Sequence, residues 1–72
     1  MSQPEMKVDS DGTKRWFLKG KLHREDGPAV ERSNGSKFWY LHGEEVTWKE
    51  VFRQAKNPEI ELRILSAVLT NA

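Results

Sequence analysis

The chain has 72 residues, a formal net charge of +1 and no cysteine. That length holds one domain with a small core, so the three Trp, three Phe and single Tyr carry much of what can be buried. Without thiols there is no disulfide framework, no thiolate zinc site and no cysteine nucleophile, and near-neutral charge argues against a general electrostatic grip on nucleic acid. The charge is uneven, however: residues 1–24 carry six Lys/Arg against three acids and the remainder six against eight, which allows a local basic patch.

In chain order, the first residues lack a signal-peptide core, and no apolar run approaches the ~20 residues that span a bilayer, so a cytoplasmic protein is expected. From Met6 to Glu45, Gly-containing pairs bound short aromatic-rich runs: Asp11-Gly12, Lys19-Gly20, Gly27-Pro28, Asn34-Gly35 and His42-Gly43. The ten residues Asp11 to Gly20 return 23 residues later as Asn34 to Gly43, with Trp16 matched by Trp39 and Leu18 by Leu41. One supersecondary unit is therefore written twice.

Strands are predicted at Met6 to Asp9, Lys14 to Lys19, Ala29 to Arg32 and Ser36 to Leu41, forming a four-stranded antiparallel meander of two hairpin repeats. With Asn34-Gly35 as a two-residue turn, Ser33 would face Ser36, Arg32 Lys37, Glu31 Phe38 and Val30 Trp39. Val30, Trp39 and Leu41, with Trp16 and Leu18 of the first copy, would then form the core face. Arg15, Phe17, Lys19, Phe38, Tyr40 and His42 would take the other. Val8 lies four residues before Gly12 but Val30 five before Gly35, so a bulge or longer loop is expected in the first hairpin.

Two helices follow, making an α+β domain over residues 1–72, with the repeat sheet at 6–45 and a helical cap at 46–71. Thr47 and Glu50 read as a capping box, with Val46 stapled onto Val51. Trp48, Val51, Phe52 and Ala55 fall on one helical face. Asn57-Pro58 then caps a second helix reaching about Leu69. Its apolar residues cover an arc of roughly 220°, wider than one packing face needs. Leu62, Leu65 and Leu69 are expected to protrude, either wrapped into the small core or forming a homodimer seam or partner-binding helix.

The segment Gly20-Lys21-Leu22-His23-Arg24-Glu25-Asp26-Gly27-Pro28-Ala29-Val30, followed by the Asn-Gly hairpin with its Trp-Tyr pair, resembles the MORN-like repeat variants of bacteriophage and bacterial proteins. The resemblance spans roughly Asp11 to Glu45. It implies a β-hairpin repeat array, frequently phage-encoded, with no established catalytic activity and no shared cofactor. The chain departs from long arrays in having one complete and one partial repeat followed by helices. A phage protein of this size is expected to act in the host bacterial cytoplasm by binding a host protein, such as a defence or nucleic-acid-processing complex.

No residue pattern points to catalysis. His23, Arg24, Glu25 and Asp26 are the tightest polar cluster, yet successive residues of an extended stretch point to opposite faces, which argues against a shared metal or acid/base site. A turn with Asp26 capping Gly27-Pro28, and Arg24 paired with an acid, is expected instead. No Ser sits on a strand-to-helix elbow, and no glycine opens a helix after a strand. No cofactor, metal or catalytic residue is therefore assigned. The candidate binding residues are Arg15, Phe17, Lys19, Phe38, Tyr40 and His42. Aromatics beside cations suit a protein hot spot, the leading reading; the alternative is a nucleic acid or nucleotide, with bases stacked on rings and phosphates held by cations.

Overall fold

The computed structural model describes residues 3–70, with the side chain of Thr70 excepted. The strands are β1 (Glu5–Val8), β2 (Lys14–Leu18), β3 (Lys21–Leu22), β4 (Val30–Glu31), β5 (Lys37–Leu41) and β6 (Glu44–Val46); the helices are α1 (Trp48–Gln54) and α2 (Pro58–Thr70). The sheet runs β1-β2-β4-β5-β6, every pair antiparallel, with β3 also against β2. The four expected strands lie side by side in the expected order. The sheet has six strands rather than four, because two further turns each add a short strand. The last residue of the expected helical cap, Asn71, lies outside the described residues.

Turn chemistry explains the extra strands and corrects the predicted register. Only Gly12 and Gly35 have positive φ in the Asp11 and Asn34 turns, +89° and +93°, whereas a two-residue primed turn needs two such residues. Asp9 N–H donates to Thr13 O at 2.9 Å and Arg32 N–H to Ser36 O at 2.9 Å, so each turn is a three-residue loop with its glycine as the bulge. The Asp11 and Asn34 carboxyl and amide oxygens accept the N–H groups of Thr13 and Ser36, at 3.0 and 2.9 Å. The longer loop expected in the first hairpin is thus present in both.

Consequently Val30 faces Phe38 and Glu31 faces Lys37, one residue away from the predicted pairing. A one-residue slip changes faces. Val30 therefore sits on the side of Phe38, not that of Trp39, although it is buried there. The primed turns are instead at Lys19-Gly20, φ +53° and +79°, and at His42-Gly43, φ +54° and +84°. Each is followed by a strand, β3 or β6, and Lys19 is a turn residue rather than the end of β2.

β3 and β4 lie against the same edge of β2 and are separated by an excursion over residues 23–29. Trp16 pins both ends of it: its N–H donates to Ala29 O at 2.9 Å and its carbonyl accepts from His23 N–H at 3.0 Å. In the second repeat the corresponding stretch becomes the start of α1.

The helices pack on the face carrying Trp39 and Leu41. These two residues form the core with Val51 and Ile64, surrounded by Val46, Trp48, Phe52, Ala55, Ile60, Ala67 and Val68. The predicted apolar face of α1 is fully used, and Trp48 and Phe52 meet edge to face at 6.2 Å. Thr47 is the N-cap, but no side-chain capping bond forms, so the expected capping box is absent. The Glu50 carboxylate turns along the helix to Gln54, at 3.2 Å, and Arg53. Asn57 does cap α2, its Oδ1 accepting Glu59 N–H at 2.7 Å.

Candidate functional site: the open face of the sheet

Alternation and register bring four of the six candidate residues together. Arg15, Val30 and Phe38 are direct neighbours across β2, β4 and β5, and Phe17 and Tyr40 lie two residues further along their strands on the same side. This is the side away from Trp39 and Leu41, hence away from the helices. Phe17, Phe38 and Tyr40 are half-buried rather than fully exposed, because the small sheet packs its aromatic rings against cross-strand neighbours.

The cations are arranged differently from expectation. Arg15 is ion-paired with Asp9, and Lys7, which was not singled out in the sequence, faces Arg15 across the β1–β2 pair and holds its Nζ 5.8 Å from the centre of the Phe17 ring. A shallow hollow is lined here by Glu5, Lys7, Asp9, Arg15, Phe17 and Lys19. Lys19 is exposed in its turn. The face is thus aromatic with a mixed-charge border.

His42 does not join this face. It occupies the left-handed turn at the end of β5, and its ring lies 4.5 Å from that of His23. His23 is almost fully buried. Its Nδ1 accepts the His42 backbone N–H at 2.9 Å, which places the proton of the neutral ring on Nε2, 2.9 Å from Glu25 Oε2. His23 and His42 act on the fold, locking the two repeats together at one end of the sheet.

The remaining polar cluster splits as an extended stretch requires. His23 pairs with Glu25, whereas Arg24 turns to Asp26, with Nε to Oδ1 at 2.9 Å, and to Glu31 at 2.9 Å and Pro28 O at 3.1 Å. The guanidinium also lies 3.9 Å above the Trp16 ring. A Cβ on Gly27 would come within 2.8 Å of Arg24 Cζ, so glycine is needed for this seat. Arg63 of α2 reaches Asp26 Oδ2 at 3.1 Å. Burial pushes the Asp26 carboxyl up, but hydrogen bonds and attraction from Arg24 and Arg63 together hold it below its ordinary value. Asp26 therefore serves the two arginines rather than capping the Gly27-Pro28 turn. Among the described residues, no three His, Cys, Asp or Glu side chains form a group able to hold a metal ion.

On α2, Leu62 and Leu69 are 67% and 72% exposed, while Leu65, expected to protrude with them, is half-buried. No described helix is long and apolar enough to cross a membrane. Comparison of the chain with protein-family models, with curated proteins and with solved structures returns no match.

Proposed function

We propose that the chain is a small non-catalytic binding protein, phage-encoded as its resemblance to MORN-like repeats implies, that attaches to a host protein in the bacterial cytoplasm and inhibits or redirects it by occupying a surface. The observation that supports this most is the helix-free face, where Phe17, Phe38 and Tyr40 stand partly exposed beside Lys7 and Arg15. Aromatic rings held rigidly by a sheet lose little entropy on docking, and with Arg they dominate the energy of protein interfaces. The interface would centre on Arg15, Phe17, Phe38 and Tyr40, with Lys19 at its rim.

Immobilised protein exposed to nuclease-treated bacterial lysate should retain one stoichiometric host protein, and Phe38→Ala or Tyr40→Ala should reduce its recovery by about tenfold or more. Circular dichroism of each variant separates a lost contact from a lost fold. Retention unaffected by both substitutions but abolished by Leu62→Glu would transfer the interface to α2. Recovery of nucleic acid alone from untreated lysate, with affinity falling steeply as salt rises, would replace this reading with the nucleic-acid alternative.

A further inference from the structure

β1 is an edge strand whose backbone is set out for another strand. All four of its residues are exposed, and among the described residues no strand lies on its outer side. Asp9 N–H bonds inward to Thr13 O, so by the alternation of an antiparallel ladder Glu5 and Lys7 direct their backbone groups at β2, while those of Met6 and Val8 point outward. One repeat later, the equivalents of Met6 and Val8 are Ala29 and Glu31. There the same edge is occupied: Trp16 N–H donates to Ala29 O at 2.9 Å, and Glu31 faces Lys14. The repeat is built to carry a strand at this place, and among the described residues the first copy leaves it open.

The side chains select the occupant. If a second β1 pairs antiparallel with Met6 opposite Met6, Glu5 of each copy faces Lys7 of the other, giving two opposite-charge pairs at the closely spaced positions. Val8 then faces Pro4, extending the apolar contact of the two methionines; Met6 and Val8 are 45% and 56% exposed in the single chain. Val8 N–H can donate to the Pro4 carbonyl, and Pro4, lacking an N–H, is tolerated at such an edge. Shifting the centre to Lys7 would set Lys7 against Lys7 and Glu5 against Asp9. The charges that guard this edge against indiscriminate pairing thus favour one partner in one register.

We propose that the chain forms a homodimer through antiparallel β1–β1 pairing centred on Met6. Residues opposite each other in such a ladder share a face, so the two open faces join into one continuous surface, with the Lys7 and Phe17 regions of both copies near the twofold axis. The contact is small, so a weak dimer is expected, populated between about 10 µM and 1 mM.

Sedimentation equilibrium of the full chain over that range should show a monomer–dimer equilibrium. Lys7→Glu should weaken it by about tenfold or more by setting like charges opposite, and Glu5→Lys combined with Lys7→Glu should restore it. Because the chain has no cysteine, Met6→Cys tests the register: paired Cα atoms at about 5.5 Å permit an intermolecular disulfide. Val8→Cys residues would lie about 13 Å apart and should not cross-link. A monomer at 1 mM, or a dimer indifferent to charge reversal but broken by Leu62→Glu, would overturn the proposal.

Discussion

His23 shows how one buried polar side chain can fix several backbone groups at once. Its own N–H is held by the Trp16 carbonyl, its Nδ1 accepts from His42 N–H, and its Nε2 faces Glu25. Replacing the imidazole with an apolar group leaves the His42 N–H without its acceptor in the turn that joins β5 to β6, and also removes the tilted contact between the two rings. His23→Leu is expected to destabilise the fold by about 2–3 kcal/mol in urea unfolding. The specific readout is the wild-type tautomer: long-range nitrogen–proton NMR on the neutral ring should show the proton on Nε2. A proton on Nδ1 would contradict the His42 bond.

Among elements, the turns separate what could be read from the sequence from what could not. The repeat, the order of the four expected strands, the apolar face of α1 and the Asn57-Pro58 start of α2 were all legible, because each depends on local composition or on periodicity. Register was not, since Asn-Gly fits both a two-residue turn and a three-residue loop closed by a bulge. The hydrogen bonds from Thr13 and Ser36 to the Asp11 and Asn34 side chains favour the loop. β3 and β6 were not legible because runs of two and three residues are too short to show alternation. The alignment of the two copies carried a signal nonetheless, since both Lys19-Gly20 and His42-Gly43 end an aromatic run. On the open face, Arg15, Phe17, Phe38 and Tyr40 share one side of the sheet as alternation predicts; the closeness of Lys7 to Phe17 depends on the β1–β2 register, which composition does not carry. The turn assignment can be tested directly. A side chain other than Gly or Asn is disfavoured at the positive φ of Lys19, so Lys19→Asn should stabilise the protein by about 0.5–1 kcal/mol and raise Tm by a few degrees. A lower Tm would argue against a primed turn.

On the scale of the whole molecule, the question is what holds a sheet of repeats to helices outside the repeat. The second repeat is covered directly, by Val51 and Ile64 against Trp39 and Leu41. The first has a polar tie instead: Trp16 lies under Arg24, Arg24 binds Asp26, and Asp26 takes Arg63 from α2. Asp26 is the link on which both arginines converge, and its folded-state pKa is below the ordinary 3.8. A carboxyl depressed on folding contributes stability that is present above its unfolded value and is lost as pH falls through the folded one. The contribution should therefore be complete above about pH 5 and decline below pH 3.8. Arg63 is largely exposed, so solvent screening limits the whole tie to about 1 kcal/mol. Asp26→Asn should lower Tm by several degrees at pH 7 and approach the wild type as the pH falls further below 3.8. Hydrogen exchange adds the spatial test: in Asp26→Asn at pH 7, amides of the central α2 turn near Arg63 should exchange faster, while those of the β5–β6 hairpin should change little, because that hairpin is anchored through Leu41 and His23 rather than through Asp26. Equal acceleration across the molecule would mean that the polar tie acts only through global stability.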